Sequence, residues 1–498
     1  MKVLLLYPPE QSWPGTMFKP NGSLALPMIA GALRQNNIEV AIFDSSVGNE
    51  KDNLQDILTK PTKLESGLLR TGVSPERILE EVKDYDIIGI TSIFSHQESM
   101  VLWTVSLIKK EYPDKTIICG GVNARNRVKK FLDEGVDIIV TGEGEKPIVK
   151  LVKKLGEGKD DFETIPALAF KRGDEIIYSR GIPEVTMNLD ELPFPAYDLL
   201  PNKRYWKIAR PSGGQFEEKI VKYACVVTSL GCPFACKYCH IGGEVKGSVS
   251  GEMGRFRIKS DERVIEELTL LKNMGVEYVF IEDDTLFGYK NRALRLIKKI
   301  KSLNLKILDV NGFNVVHFFK DGDVDFEMIN VLKESGFRDI CLAFESANQR
   351  ILKKYASNKW DTTNPNVMKL IRECKKQGLN VEGNFMIGFP DETREEIETT
   401  IRFAKECVKN GLSTAGFYLV MPLPGSPLFS YAIENNHLPE NYDPDTMHWQ
   451  KTTMINTLVP NEELKKIRDR AWEEVNRSDF VEYKKKMVVG STAPTSDE

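Results

Sequence analysis

Long apolar runs are missing from this chain. The N-terminus, MKVLLLYPPE, offers only the apolar stretch Val3 to Tyr7 before Pro8-Pro9 ends it, far short of a signal-peptide core or a spanning helix. No transmembrane segment is expected, and the protein should be cytoplasmic. Neither sign of charge dominates: 28% of residues are charged, yet the net charge is -4, so no nucleic-acid or membrane partner is implied. A helix-turn-helix or basic recognition segment is likewise missing. Eight cysteines in 498 residues are too few for a disulfide framework, and a reducing compartment favours reading clustered ones as metal ligands. No repeat of solenoid period occurs.

What is present is a rhythm. From residue 1 to about 155, "KVLLLY", "EVAIFD", "DIIGIT", "KTIICGG" and "VDIIVTG" alternate with helical patterns, which predicts a doubly wound parallel sheet of five strands. Ligands of such sheets lie beyond the strands' carboxyl ends. Those ends here are small or polar: Asp44-Ser45-Ser46, Thr91-Ser92, Gly120-Gly121 and Gly142-Glu143. The first loop, Pro8 to Gly22, carries Trp13 and Phe18; it either laps over a ligand or is pinned to the core by those two side chains. Residues 156–220, with a hairpin at "KRGDEIIYS" and three prolines in "LPFPAYDLLP", read as a linker.

Six further strand-like runs follow between residues 221 and 430: "YACVVTS", "VEYVFIED", "LKILDVNGF", "FRDICLAFES", "LNVEGNFMIGF" and "TAGFYLVMP". Separated mostly by helical stretches, they predict an open, partial β/α barrel. Residues 431–498 form a small helical region, with "NEELKKIRDRAWEEVNR", and a disordered "GSTAPTSDE" tail.

Just after the first barrel strand stands "LGCPFACKYCHIGG", with Cys232, Cys236 and Cys239 in C-x3-C-x2-C spacing. His240 could complete a Cys3His zinc site. A redox pair of Cys236 and Cys239 would leave Cys232 without a role. A four-iron cluster normally takes four thiolates, so three would leave one iron open to a small chelating molecule. Cys119, Cys225 and Cys341 read as small core residues, and Cys374 and Cys407 as helical ones without partners. His96 reads as a locally hydrogen-bonded histidine.

The spacing, with an aromatic residue (Tyr238) before the third cysteine and six β/α units around it, resembles the radical S-adenosylmethionine superfamily. That resemblance implies a [4Fe-4S] cluster on Cys232, Cys236 and Cys239, with S-adenosylmethionine on the open iron and His240 a bystander. "FIEDDT" is similar to the family's acidic strand end, which implies cofactor or substrate contacts for Asp283 and Asp284, one of which could instead cap the next helix. "AFESA" resembles the "ESG" element and places Glu345 and Ser346 near the ribose or methionine. "FMIGFPDET" looks like the element flanking adenine, with Gly388 allowing close approach. "PLPGSPLF" resembles the "PGT" segment, with Ser426 for Thr.

The N-terminal elements "SLALPMIAGALRQNNIEVAIFD", "IIGITS", "IICGGVNA" and "VDIIVTGEGE" resemble the cobalamin-binding subclass. The Asp-x-His-x-x-Gly motif is missing, since Ser45-Ser46-Val47-Gly48 follow Asp44. Cobalamin would then have no protein histidine on cobalt and would be held by backbone groups at Thr91, Ser92, Gly120, Gly121, Gly142 and Glu143. The alternative is that these glycines serve ordinary turns of an empty fold.

The implied chemistry is a deoxyadenosyl radical abstracting hydrogen from an unactivated carbon, and methylcobalamin supplying the methyl group. The substrate would be a small molecule, lipid or peptide, and the electron donor a protein such as flavodoxin or ferredoxin. Catalytic residues beyond the cluster are not identified. Oxidative cyclisation of the tetrapyrrole-cyclase type is a second enzymatic reading, and a cobalamin-responsive regulatory module a non-enzymatic one. Methylthio transfer would want additional cluster cysteines in the first third of the chain, where only Cys119 occurs.

Overall fold

Five strands rich in Ile, Val and Leu pair in parallel because they are buried on both faces. They are β1 (Lys2–Tyr7), β2 (Glu39–Asp44), β3 (Ile87–Thr91), β4 (Thr116–Gly120) and β5 (Ile138–Val140). The computed structural model describes residues 1–15, 23–181, 183, 185–208, 221–447, 451–482 and 484. Phe18, the linker from residue 209 to 220 and the "GSTAPTSDE" tail lie outside the described residues.

The strands run in the order β2-β1-β3-β4-β5, so the winding reverses between β1 and β3. That reversal opens a crevice at their carboxyl ends. Leu4, Leu6, Ile88, Ile90 and Ile117 pack on one face of the sheet, and Val3, Leu5, Ile87, Ile118 and Val140 on the other. The hairpin assigned to the linker extends this same sheet: β6 (Leu168–Arg172) lies antiparallel on β5, and β7 (Glu175–Tyr178) on β6. Helix α1 (Ala25–Gln35) covers the face of Val3 and Leu5 with Leu26, Ala30 and Leu33.

The second series forms β8 (Tyr223–Val226), β9 (Tyr278–Ile281), β10 (Lys306–Asp309), β11 (Asp339–Glu345), β12 (Asn380–Ile387) and β13 (Thr414–Leu419). All pair in parallel, as two ladders of three. The isolated bridges Ile307–Phe337 and Phe313–Leu342 join the ladders. Among the described residues no pairing connects β13 back to β8, so the barrel is half closed.

Alternation along β12 shows what each face meets. Val381, Gly383, Phe385 and Ile387 are buried against the helices, while Asn380, Glu382, Asn384 and Met386 are only half-buried on the inner face. On the helix side, the Phe344, Phe385 and Phe417 rings stack at 5.2 and 5.5 Å. Cys341, read from sequence as a core residue, stands instead on the inner face, half-buried and in register with Glu382. It alternates with Ile340 and Leu342, which take the helix side.

Helices α2 (Asp261–Asn273), α3 (Lys290–Ile300), α4 (Arg394–Lys409) and α5 (Pro427–Glu434) follow β8, β9, β12 and β13. Helix α4 starts at a capping box of Thr393 and Glu396, which satisfies two orphan N–H groups. Ser426 caps α5 by accepting from the Phe429 amide. The C-terminal helix α6 (Asn461–Val475) packs Leu464, Ile467 and Ala471 into the barrel core.

Removing the central ring of the aromatic stack should leave a void that the flanking strands cannot fill. Phe385→Ala is expected to lower barrel stability by about 3–5 kcal/mol, read from urea unfolding monitored by near-UV dichroism.

Candidate functional site

After β8 the chain makes one short antiparallel pairing, Ser229–Leu230 with Arg257–Ile258, and then turns into the cysteine loop. Gly231 makes that turn at φ +77, and an added Cβ would lie 2.3 Å from the Arg255 carbonyl oxygen. No other residue fits there. The Cys232 amide donates to the Gly254 carbonyl (3.0 Å), and the Cys239 amide to that of Cys236 (3.2 Å). Gly242 and Gly243 let the Cys236 and Gly425 carbonyls approach to 2.6 and 2.2 Å of where a Cβ would be.

The loop thus holds three free thiols, one buried and two half-buried. Burial raises the Cys232 thiol to about 11 and that of Cys239 to about 12, partly offset by the amides of Phe234 and Ile241. Binding a metal group there would displace those protons. Among the described residues no three His, Cys, Asp or Glu side chains converge as they would on one ion. His240 turns its Nδ1 to Glu244 (3.0 Å). The donor set is three soft sulfurs on one loop, which suits an iron–sulfur group larger than a single ion.

Facing the loop is a buried triad. Glu345 accepts from Tyr238 Oη (2.6 Å) and from Lys359 Nζ (2.8 Å), and Lys359 also reaches Tyr238 Oη (3.1 Å). Burial opposes the lysine's charge, yet Glu345 and the Cys236 thiol hold its pKa above the usual value. Glu345 sits at φ +61, where the ladder between β11 and β12 shifts register. That backbone state costs a non-glycine residue about 1–3 kcal/mol. Nothing in the sequence marks Lys359, fourteen positions further on; only the fold brings it here.

The two aspartates divide. Asp283 is fully buried and accepts from the Thr228 amide (2.5 Å), Thr228 Oγ1 (2.6 Å) and Ser229 Oγ (2.6 Å), so it anchors the start of the loop. Asp284 accepts from the Gly231 amide (2.8 Å) and is exposed. Desolvation by the surrounding protein raises it to about 6, as does Asp283, while Arg257 and Arg125 oppose the rise.

Ser346 is buried against Thr400 Oγ1 of α4 (3.2 Å) and accepts from the Asn348 amide (3.0 Å), a structural tie. At Gly388 (φ +88) the missing Cβ makes room for Leu464 of α6, 2.9 Å away. The close approach is therefore to the C-terminal helix. The neighbouring Phe389 ring stacks on Tyr355 (4.6 Å) and tilts against Tyr238 (6.3 Å).

Across the interface stand the strand ends of the first sheet. Thr91 Oγ1 is buried with no hydrogen-bond partner, and the space above Gly120 is open, with nothing closer than Val140 Cβ at 3.8 Å. An orphaned hydroxyl beside open backbone at a winding reversal fits a large ligand. Gly121 (φ +103) passes over the Ser92 carbonyl, and Asn123 donates to Ser92 Oγ (3.1 Å). Gly142 packs against Ala167.

The side chain of Glu143 is committed elsewhere: it accepts from the Thr186 amide (2.8 Å) and pairs with Arg257 at the cysteine loop. Arg125, unremarked in the sequence, crosses from the first domain to pair with Glu244. The His96 carbonyl accepts from Gln11 Nε2 (2.8 Å), and its ring lies 5.6 Å from Phe94. Trp13 is half-buried.

Known proteins share this order of domains. Residues 226–404 match the radical SAM superfamily and residues 21–152 the B12 binding domain. An uncharacterized methyltransferase of Pyrococcus horikoshii is 32% identical over 92% of this chain and 88% of its own. The cytidylyl-2-hydroxyethylphosphonate methyltransferase of Streptomyces wedmorensis is 25% identical, covering 91% of this chain and 84% of its own. Among solved structures, the methyltransferase TsrM of Kitasatospora setae, with cobalamin and a [4Fe-4S] cluster bound, superposes with a TM-score of 0.62 at 16% identity. The match covers 87% of this chain and 78% of that one.

One carboxyl beside this site should be visible in stability. Burial raises Glu392 to about 8 against an ordinary 4.5, although the Gly388 and Phe389 amides donate to it. The native state therefore keeps a proton that the unfolded chain releases between about pH 4.5 and 8, and stability falls as pH rises through that window. Glu392→Gln should flatten this loss, so its melting temperature at pH 8 exceeds that of the parent protein while the two converge near pH 5.

Proposed function

Because the chain belongs to the radical S-adenosylmethionine superfamily and carries a B12 binding domain, we propose that it methylates an unactivated carbon of a small-molecule, lipid or peptide substrate. The observation that carries this reading is the placement of three free thiols and the Lys359–Glu345–Tyr238 triad at the head of a half barrel, opposite the open strand ends of a doubly wound sheet. In the loaded enzyme a [4Fe-4S] cluster, S-adenosylmethionine and cobalamin supply the radical and methyl chemistry.

This chain's residues hold and orient those groups. Cys232, Cys236 and Cys239 would hold the cluster. Lys359, the buried cation of the triad, would attract the carboxylate of the methionine end, while Asp284, raised to about 6, would face its amino group. Glu345 accepts from the ribose hydroxyls or the amine once Lys359 turns to its new partner. Thr91, Ser92, Gly120 and Gly121 present backbone and one unpaired hydroxyl to the corrin. The chamber between the domains keeps water from the reacting carbon. All eight cysteines are free, in keeping with a reducing cytoplasm. No helix among the described residues is long and apolar enough to cross a membrane.

Anaerobic reconstitution should give a brown protein with about four irons. The Cys232→Ala, Cys236→Ala, Cys239→Ala triple variant should lose both the irons and the cleavage of S-adenosylmethionine; retained cleavage would refute the ligand assignment. Lys359→Met should keep the irons and weaken S-adenosylmethionine about 10–100-fold, the worth of a charge-assisted hydrogen bond. Purification with hydroxocobalamin should leave corrin absorbance on the protein. Methyl-labelled S-adenosylmethionine then separates methyl transfer from cyclisation, since only the former moves the label into product.

A further inference from the structure

The outer wall of the half barrel carries a charge anomaly. From Lys290 to Lys306, along α3 and into β10, there are seven Lys or Arg and no Asp or Glu, in a chain whose net charge is -4. Between α3 and the short hairpin at Phe319–Val324 lies a groove of about 680 Å³. Its walls include Lys290, Arg295, Lys298, Lys299 and Lys320 against two carboxylates, Asp325 and Glu327. Lys290 pairs with Asp325 and Lys298 with Glu327, while Arg295 and Lys299 share Asp261 and Lys299 also pairs with Glu262.

Around this groove large apolar side chains are left in water: Tyr289 is 59% exposed, Val316 44% and Phe326 43%. Apolar patches among cations are how protein-docking surfaces are built.

A chain of contacts through His317 leads from the groove to the cysteine loop. Lys290 Nζ donates to the His317 carbonyl. The His317 ring lies 6.1 Å from Phe234, which stands between Cys232 and Cys236, and 6.0 Å from Phe287. Phe287 packs in turn on Phe313 (5.3 Å). Aromatic rings thus fill the wall between groove and loop.

We infer that this groove is the docking surface for an acidic one-electron carrier of the flavodoxin or ferredoxin kind. The inference rests on the radical reading above, which requires an electron from outside. The reduced carrier loses one electron, the iron–sulfur group behind Phe234 gains it, and no proton or bond changes hands. A positive rim steers a negative carrier and makes the encounter sensitive to salt.

The test titrates oxidised acidic flavodoxin into the full-length protein at low and high salt by calorimetry. Binding to the parent protein should weaken with salt. Lys298→Glu combined with Lys320→Glu should raise Kd at least about tenfold and flatten the salt dependence. Lys129→Glu with Lys130→Glu, on a separate basic surface of the first domain, should leave Kd unchanged. Iron content and dithionite-driven cleavage of S-adenosylmethionine should stay at parental levels in both.

Parental affinity in the first pair, loss of affinity in the second, or binding of a single-stranded oligoribonucleotide in the groove with no flavodoxin binding would each overturn the assignment. If no carrier binds while dithionite still drives cleavage, the docking inference falls and the radical reading stands. If dithionite drives no cleavage in the parent protein, both fall.

Discussion

Two buried ion pairs decide where the sheets stand relative to one another. Arg257 of the barrel pairs with Glu143 of the first domain, and Arg125 of the first domain with Glu244 of the cysteine loop; none of the four side chains is more than 10% exposed. The crossing runs in both directions, so neither domain can slide without stranding a cation and a carboxylate. Removing one partner of such a pair costs about 3–5 kcal/mol, because the other is left buried and unpaired. Burial lowers Arg125 to about 10, a measure of how poorly this site replaces water. The geometry of the chamber, and hence the distance between whatever each domain holds, is set by these contacts.

The charges around the thiols follow from that enclosure. A buried thiol resists ionisation, and Cys232 and Cys239 do. At Cys232 the Phe234 amide and, after it, Lys359 offset this, and at Cys239 the Ile241 amide does; the charge of Lys359 is itself sustained by Glu345. A fixed cation beside Cys232 favours its thiolate, and the partner Glu345 is held in place where β11 shifts register.

Much of this was legible in the sequence, and the reasons are local. Runs such as "DIIGIT" and "KTIICGG" announce parallel strands because both faces are buried, and C-x3-C-x2-C announces its loop because the three residues are adjacent in the chain. The acidic strand end was legible only as a pair: that Asp283 anchors Thr228 and Ser229 while Asp284 is exposed depends on the side to which each points. Ser346 and Gly388 matched a pattern, yet their surroundings, Thr400 and Leu464, come from helices 54 and 76 positions away. Lys359, Arg125 and Glu244 carry no signal of their own, being ordinary charged residues whose meaning arises from long-range contact. Cys341 misled because strand composition does not say which face of a half-closed barrel is dry.

The barrel's incompleteness is built in. An open strand edge invites pairing with another chain, and at β13 two side chains cover it: Asn476, just past α6, donates to the Ala415 carbonyl (2.9 Å) and accepts from its amide (2.8 Å), and Arg468 of α6 donates to the Phe417 carbonyl (3.1 Å). The segment before α6 returns to the first domain, where Asp445 accepts from the Ser99 amide (3.3 Å) and the Tyr442 ring lies under Arg127. The C-terminal region thus covers the edge that a seventh strand would occupy. A closed barrel would be filled by its own side chains; stopping at six strands leaves the row of Asn380, Glu382, Asn384 and Met386 half-buried.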